Sequence, residues 1–222
     1  MTLLIRPAAQ ADMAVIAQIA ATTFAEGILP QRDHLRSNFL LVAEWHGAVV
    51  GFAASFLTRS AAGTTRFELD LLAVDAAARG RGVGSGLVAR CIQTASASGA
   101  DSLRALARTD NLVMSRIGAR AGLLRSACAY DLYIAEATPM NAPASIAHAA
   151  HLVPVDTLTY RGIWLEGGLS QAAVDLAHHR AQSQQRSRIG ALVPVADAPV
   201  AALLTKNGFV SVGEFCWWSL RL

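Results

Sequence analysis

The residues most suited to chemistry in this sequence form a glycine-dense turn flanked by arginines. The sequence at 79–85 is RGRGVGS. Glycines allow positive φ and let the backbone approach a ligand closely. If a helix follows, its first amides lack internal partners and lie at the positive end of the helix dipole, which suits an anion such as a pyrophosphate. The side chains of Arg79 and Arg81 add positive charge beside it.

The spacing of the glycines distinguishes among the known phosphate-binding motifs. A P-loop needs a lysine after its last glycine, and this segment has none. A dinucleotide fingerprint needs a further glycine that would fall on Ser85 or Leu87, so it is excluded as well. The pattern present is R-x-x-G-x-G, which runs from Arg79 through Gly82 to Gly84.

The segment before the turn is predicted to be a β-strand with an acidic side. Successive side chains of a strand point to opposite faces. One face of residues 66–74 is predicted to carry Phe67, Leu69, Leu71 and Ala73, and the other face Glu68, Asp70, Leu72 and Val74. The two carboxylates are therefore expected to face a groove that continues toward the glycine-dense turn.

Hydrophobic periodicity over the first 135 residues predicts alternating strands and helices. A first strand is predicted at 3–7 and a helix at 13–24, followed by a short helix at 32–38. The other predicted elements are strands at 40–45, 48–57, 66–74 and 102–108, helices at 84–98 and 111–121, and one or two closing strands within 123–135.

This order of elements, with an R-x-x-G-x-G turn between a strand and a helix, resembles the GNAT superfamily of acetyl-CoA-dependent N-acetyltransferases. The segment LDLLAVDAAARGRGVGSGLV carries the likeness. Asn111 with Gly122-Leu123 resembles the N-x10-GF helix of that family, with leucine in place of phenylalanine. The resemblance covers about residues 3–135. It implies an α/β fold of the α+β type, in which helices flank a central, twisted, mixed sheet.

The resemblance also implies that acetyl-CoA is the cofactor and that three segments bind it. Backbone groups of Leu72, Ala73 and Val74 would pair with the pantetheine arm as an added strand. Asn111 would hydrogen-bond the pantetheine side, although its position equally suits a helix N-cap. The pyrophosphate would be held by backbone amides and flanking side chains of Arg79, Gly80, Arg81, Gly82, Val83, Gly84 and Ser85.

Transfer of an acyl group to an amine needs a proton acceptor, because only the neutral amine attacks. The oxyanion that develops needs a donor, which a backbone N–H near Val74 would supply. Glu68 and Asp70 are the candidate catalytic bases, and two carboxylates one pleat apart also raise one another's pKa. The alternative is that both lie on a solvated face or pair with arginines.

The sequence departs from the family pattern at the general acid. Many members carry a tyrosine seven residues after the asparagine, and that position is Gly118 here. Another branch uses a glutamate at the position of Leu106. Tyr130, Tyr133 or a water molecule are the alternative acids, and packing in the core is the simpler interpretation of both tyrosines.

The chain is predicted to contain a second, degenerate half. Residues 136–154 are rich in Pro, Ala and Ser and are interpreted as a linker between a GNAT-like domain at 1–135 and a second half at 155–222. Asp197 to Phe209 aligns with Asn111 to Leu123 without a gap, which favours a partial internal duplication over an unrelated α/β extension.

The second half is not expected to bind cofactor. Its turn at Glu166 to Ser170 is shorter than the first turn, has no arginine and carries a carboxylate that opposes an anion. We expect this half to pack against the first half and to form a wall of the acceptor cleft. Trp217 and Trp218 alternate on its last strand, so one of them is expected to be buried.

Composition excludes several classes of partner. The net charge of +3 is carried almost entirely by arginine and is too small and dispersed to indicate nucleic acid. The longest apolar run, at 48–57, is too short to cross a bilayer, which takes about 20 residues. The cysteines and the His178-His179 pair show no metal-ligand spacing. We therefore expect a cytoplasmic protein with no metal, nucleic acid or membrane partner.

The expected acceptor is the amine of a small molecule, selected by residues 28–38. Transfer to a protein N-terminus or lysine is an alternative, and a catalytically weak CoA-binding regulatory module is another. The interpretation also allows a homodimer.

Overall fold

A computed structural model of the chain describes residues 3–24, 39–139 and 150–222. The strands are β1 (Leu3–Pro7), β2 (Phe39–Trp45), β3 (Ala48–Arg59), β4 (Thr65–Val74), β5 (Ser102–Arg108), β6 (Leu124–Arg125), β7 (Tyr130–Glu136), β8 (Ala150–Asp156), β9 (Arg161–Gly167), β10 (Arg188–Pro194) and β11 (Val210–Arg221). The helices are α1 (Met13–Thr23), α2 (Val83–Ala97), α3 (Leu112–Arg120), α4 (Gln171–Ser183) and α5 (Ala198–Lys206). The helix predicted at 32–38 and the acceptor-selecting segment 28–38 lie outside the described residues.

The described strands form one continuous sheet in the order β1-β2-β3-β4-β5-β11-β7-β10-β9-β8, with β6 also paired to β11. Neighbours are antiparallel except for β4 with β5 and β9 with β10, which are parallel. Helices pack on both sides of this sheet. The predicted fold class, a mixed sheet flanked by helices, is confirmed.

Three main hydrophobic clusters hold the helices on the sheet. The first buries Leu87 of α2 and Leu103 of β5, and the second buries Ile16 of α1 on the opposite side of the sheet. The third buries Val174 of α4 against Ile189 of β10. Helices α2, α3, α4 and α5 lie on one side of the sheet. We call the other side, on which α1 packs, the inner face. Each fully buried side chain of this size contributes about 1.5–3 kcal/mol, so these clusters anchor every element around the site.

The two halves exchange strands. β11, the last strand of the chain, pairs with β5 of the first half, and β7 of the first half pairs with β10 of the second. β7 and β11 also pair with each other. In both halves a parallel strand is followed by a nine-residue helix, α3 or α5, each capped by the residue before it. The sheet therefore joins the halves through backbone hydrogen bonds.

The predicted linker at 136–154 is wrong at its C-terminal end, because β8 begins at Ala150. Pro154 lies in β8, and proline is tolerated there since β8 is an edge strand. β9 begins only at Arg161, because residues 157–160 form a tight turn. In that turn the Thr157 N–H donates to the Tyr160 carbonyl at 2.9 Å.

A β-bulge corrects the predicted faces of β4. Ser55 of β3 pairs with Leu69 and Ala54 pairs with Leu71, so Asp70 is the extra residue. Beyond a bulge the alternation reverses. Leu71 and Ala73 accordingly pack with α1, while Leu72 and Val74 pack on the α2 side with Phe67 and Leu69. The prediction that Leu72 and Val74 share the face of Glu68 is therefore wrong.

Close packing at Gly118 gives a test of the strand exchange. A methyl group at Gly118 of α3 would lie 2.9 Å from Cε3 of Trp218 on β11. We expect Gly118→Ala to destabilise the protein by about 1–3 kcal/mol through overpacking. That cost exceeds the ~1 kcal/mol that alanine gains over glycine within a helix. Urea unfolding measures the difference.

In a Trp218→Phe background the clashing ring atoms are gone, so Gly118→Ala should there be neutral or stabilising. A Gly118→Ala single variant that unfolds at higher urea than the parent would contradict this packing.

Candidate active site

An open groove between β4 and β5 is the main feature of the site. The two strands pair in parallel only from Arg66 with Ser102 to Leu69 with Ala105. After the bulge at Asp70, the next β4 residues pair with β3, and the end of β5 pairs with β11. The backbone of 72–74 therefore borders a gap in the sheet, within the described residues, where an extended ligand can add hydrogen bonds. This is where the resemblance predicts the pantetheine arm.

The glycine-dense turn follows β4 directly and leads into α2. Gly80 and Gly82 have φ of 75° and 82°, a region that favours glycine. The Asp75 carboxylate accepts from the Ala77 N–H at 2.8 Å and shapes the start of the turn. α2 begins at Val83, whose side chain is buried, and the Gly86 N–H donates to the Gly82 carbonyl at 2.9 Å. The amides of 80–85 have no acceptor among the described residues, so they are available to an anion.

Two arginines of the turn are exposed. Within the described part of the chain, neither Arg79 nor Arg81 forms an ion pair. Nε of Arg79 donates to the Val74 carbonyl at 3.1 Å, and the Arg81 guanidinium lies 5.8 Å from the Trp45 ring centre. Their charges are therefore available beside the helix N-terminus.

The last predicted cofactor residues have structural roles as well. Gly84 is buried, and a methyl group there would lie 2.9 Å from Cδ1 of Ile117, so this glycine lets α2 approach α3. Ser85 is half-buried on the same turn of α2. Asn111 caps α3, where its Oδ1 accepts from the Met114 N–H at 2.9 Å. The N-cap interpretation of Asn111 is confirmed, and its contact with the pantetheine side stays a prediction.

Asp70 lies at the bulge, beside the open groove. It forms no hydrogen bond or ion pair with any residue that the structure describes, and it keeps partial exposure to solvent. Burial and the nearby charge of Glu68 raise the pKa of Asp70 to about 7. A carboxyl group with a pKa near the working pH can both accept and release a proton.

Glu68 is in a different environment, although it is only two residues away. Its side chain is 2% exposed and accepts from Nε of Arg104 at 2.8 Å and from the Thr58 hydroxyl. Nε of Arg66 lies 3.4 Å from the same carboxylate. Two arginines therefore compensate its charge, which is the pairing that the sequence left open as an alternative.

Glu166 of β9 completes this ion-pair cluster from the second half. Its two oxygens accept from Arg66 at 2.9 Å and from Arg104 at 2.9 Å. Burial acts to raise the pKa of Glu166, but the hydrogen bonds from the two arginines lower it below its usual value. The Arg104 guanidinium also lies 4.0 Å from the ring centre of Trp217. The carboxylate predicted to oppose an anion is thus used to join the halves.

Gly118, the position at which many family members carry the general acid, is filled by packing. Gly118 is buried beneath the ring of Trp218, which is 6% exposed, so the expected burial of one of the paired tryptophans is observed. Tyr133 is buried in the third hydrophobic cluster, and Tyr130 lies on β7 opposite Phe215 of β11. Core packing of Tyr133 is therefore observed.

Sequence reasoning missed two residues near Asp70. Tyr160 and Trp164 come from the second half and pack with Phe56 of β3. Phe56 pairs with Glu68, and Leu158 of the same turn lies in one cluster with Leu71, so Tyr160 lies near the part of β4 that carries Asp70. No motif marks Tyr160, and only the pairing of β8 with β9 brings it to this place.

Other sites are absent from the described residues. They contain no cluster of three His, Cys, Asp or Glu side chains that could hold a metal, and no helix long and apolar enough to cross a membrane. Two surface depressions, of about 340 and 470 Å³, are lined by residues near Cys128 and by residues of β1, β2 and α2. Neither depression contains a predicted site residue.

Comparison with known proteins addresses the resemblance directly. Residues 13–116 match the model of the acetyltransferase (GNAT) family. This range contains the bulged strand, the glycine-dense turn and α2. No curated protein matches the sequence.

Solved structures match over nearly the whole chain at low identity. A putative acetyltransferase from Pyrococcus horikoshii is 13% identical, with 99% of this chain and 89% of that chain covered and a TM-score of 0.60. A tandem GNAT protein from the clavulanic acid biosynthesis pathway is 14% identical, with 99% and 98% covered and a TM-score of 0.58.

A third match is a GCN5-related glucosamine N-acetyltransferase region in a fungal multi-domain β-N-acetylglucosaminidase. It is 11% identical with a TM-score of 0.60, and the match covers 99% of this chain and 38% of that longer protein. At these identities the three structures show a shared fold, and the fold extends over both halves.

The family match and the shared fold agree with the open groove, the anion-binding turn and the strand order. Residues 13–116 thus match a GNAT-family acetyltransferase domain, and the match indicates an acyltransferase that takes its acetyl group from acetyl-CoA.

Proposed function

We propose that this protein transfers the acetyl group of acetyl-CoA to a primary amine of a small molecule, by direct attack in a ternary complex with Asp70 as the general base. The observation that carries the proposal is an unpaired carboxyl group at the bulge of β4, next to the open groove between β4 and β5. Acetyl-CoA supplies an activated thioester. The chain supplies the proton acceptor and the geometry.

Asp70 suits the role of base better than Glu68. The pKa of Asp70 is raised to about 7 by burial and by Glu68, so a large fraction is ionised at neutral pH and still basic enough to take a proton. The carboxylate of Glu68 is held by Arg66 and Arg104. These contacts occupy the Glu68 carboxylate, and without its charge Glu166 alone would balance two buried arginines, which is unfavourable. Glu68 therefore stabilises the strand that carries the base.

The cofactor contacts follow from the open backbone groups. Residues 72–74 of β4 offer unpaired groups along the groove, and the amides of 80–85 offer an anion site at the start of α2. Arg79 and Arg81 add charge there. We assign the pantetheine arm to the groove and the pyrophosphate to the turn, with the Nδ2 group of Asn111 as a further donor.

A small acceptor fits the junction of the halves better than a polypeptide does. The turn at 157–160 inserts Leu158 into the core beside α1, and β8 lies against β3. The second half thus covers part of the inner face near Asp70. A protein N-terminus or lysine is the second candidate acceptor. The closed position at Gly118 is the observation that favours the third candidate, a CoA-binding module with weak activity.

A screen for released thiol distinguishes these candidates. The panel contains glucosamine, spermidine, phenylethylamine, alanine amide and a short peptide with a free N-terminus and one lysine. Turnover of a small amine supports the proposal, and turnover of the peptide alone supports the second candidate. Calorimetric binding of acetyl-CoA without turnover of any amine supports the third. A cytoplasmic location and a homodimer stay predictions, which fractionation and light scattering test.

Removal of the proposed base is the central test. We expect Asp70→Asn to lower kcat by about 100-fold or more, because general-base catalysis contributes on that scale. In the parent, activity should rise as the pH passes through about 7, where Asp70 ionises. In the variant this rise should disappear. Full activity of Asp70→Asn with an unchanged pH profile would rule out Asp70 as the base.

The same substitution should not harm folding. Burial raises the pKa of Asp70 above its ordinary value of 3.8, so the native state disfavours ionised Asp70 and stability falls as the pH rises from 3.8 to about 7. Asparagine removes this loss. Urea unfolding at pH 8 should therefore find Asp70→Asn at least as stable as the parent.

Glu68→Gln should have the opposite effect on stability. It leaves Arg66 and Arg104 short of a buried counter-charge, so we expect a loss of about 3 kcal/mol in the free energy of unfolding. The matched control is Asp110→Asn, which breaks the exposed pair with Arg108 and should change stability little. Equal stability of the two variants in urea unfolding would show that the Glu68 charge does not stabilise the ion-pair cluster.

Gly82→Ala tests the anion site. Gly82 and Gly63 both have a φ of 82°, and at both positions a methyl group would point into open space, so alanine should strain both backbones by a similar ~1–2 kcal/mol. Only Gly82 lies in the turn. We expect Gly82→Ala to weaken acetyl-CoA binding by roughly tenfold, which corresponds to about 1.4 kcal/mol.

Gly63→Ala, in the turn between β3 and β4, should leave the affinity for acetyl-CoA unchanged. Calorimetry on both variants makes the comparison. Equal affinities would place the pyrophosphate away from this turn.

A further inference from the structure

The second half places a side chain beside the proposed base. The turn between β8 and β9 inserts Leu158, which has no exposed surface, into the first-half core with Ile16 and Phe52. Arg186 holds the end of β8 by donating to the Val155 carbonyl at 2.8 Å. The turn is therefore anchored on both sides, and its last residue, Tyr160, is held in place at the junction.

The Tyr160 hydroxyl is oriented by its neighbours. It accepts a hydrogen bond from Nε1 of Trp164 at 3.1 Å. The Trp164 ring packs edge-on against Phe56 with centroids 5.6 Å apart, which fixes the donor. Indole can only donate, so the hydroxyl keeps its own proton and one lone pair for another partner. Since a methyl group at Gly162 would lie 2.8 Å from Cε2 of Tyr160, the ring also lies close to the β9 backbone.

Tyr160 lies on the side of the sheet near the bulge of β4, because it packs with Phe56, the partner of Glu68, while Leu158 shares a cluster with Leu71. The charge of Asp70 adds to the effect of burial in raising the pKa of Tyr160, so the phenol stays neutral. Both side chains keep partial exposure to solvent, and no direct hydrogen bond joins them among the described residues. A neutral hydroxyl and an unbonded carboxyl group on facing elements are two polar groups that one ligand group could engage together.

We propose that Tyr160 is a positioning residue of the acceptor site, and that its hydroxyl holds the acceptor amine against the Asp70 carboxylate. This inference rests on the proposed function of Asp70. The amine nitrogen forms a bond to the acetyl carbonyl carbon as the carbon–sulfur bond breaks. The amine proton passes to Asp70, and the electron pair leaves with the CoA thiolate. Tyr160 keeps its proton throughout, so the second half supplies the acceptor wall and does no proton transfer.

The test compares Tyr160→Phe with Tyr133→Phe, which removes the same hydroxyl from the third hydrophobic cluster. The acceptor is the panel amine that the parent turns over fastest. We expect Tyr160→Phe to lower kcat/KM for the amine by roughly tenfold, as for loss of one hydrogen bond to a charged or reacting group. Acetyl-CoA affinity by calorimetry and the midpoint of urea unfolding should not change. Tyr133→Phe should leave kcat/KM for the amine unchanged.

Two further variants separate positioning from a structural role. Trp164→Phe removes the donor that orients the hydroxyl, together with part of a ring that packs on Phe56, and should give a smaller loss of kcat/KM for the amine. In an Asp70→Asn background, Tyr160→Phe should cost little more, because both residues act on one amine.

The outcomes are distinct. If Asp70→Asn is fully active, the proposed base is wrong. If Asp70→Asn is inactive while Tyr160→Phe keeps the parent kcat/KM for the amine, only the role of Tyr160 is overturned. A Tyr160→Phe variant that loses acetyl-CoA affinity and stability together would also overturn it, because the tyrosine would then serve packing.

Discussion

The site depends on the early end of the pairing between β4 and β5. Parallel pairing stops at Leu69, and the bulge at Asp70 turns the rest of β4 away. This one irregularity has three effects. It leaves the backbone of 72–74 with free hydrogen-bonding groups, it directs the strand into the glycine-dense turn, and it puts a carboxyl group at the opening. A regular strand would pair along its whole length and would leave no groove.

An open sheet has to be stabilised elsewhere, and the second half does this. β11 pairs with the full length of β5 along the edge opposite to β4. On the inner face, Arg66 and Arg104 each bind Glu166 of the second half, and both lie against Glu68. Backbone pairing of β11 with β5 and buried ion pairs among β4, β5 and Glu166 therefore stabilise the two strands next to the groove.

Local patterns predicted the turn, α2, α3 and most strand positions, because glycine spacing and apolar periodicity are properties of short segments. The bulge was not predictable in this way, since Asp70 continues the alternation of 66–74 and only the register against β3 reveals the extra residue. Tyr160 was missed for a related reason. Its place beside Asp70 depends on pairing between β8 and β9 and on the burial of Leu158, which are contacts distant in sequence. The choice between Glu68 and Asp70 also required knowing where Arg104 lies.

The difference between the halves shows how one strand position can acquire two functions. The parallel pairing begins at Arg66 with Ser102 in the first half and at Gly162 with Arg188 in the second. Asp70 lies four residues after Arg66, and Glu166 lies four residues after Gly162. The two carboxylates therefore have equivalent positions on their strands. The chain from strand to strand is 36 residues long in the first half and 26 in the second, and the shorter connection has no room for an anion-binding turn. Where no groove lies next to it, a carboxylate at this position is most stable when it is paired, and Glu166 is paired with two arginines. Asp70 has no such partner among the residues that the structure describes, and a carboxylate left unpaired in a buried site is one that can take a proton.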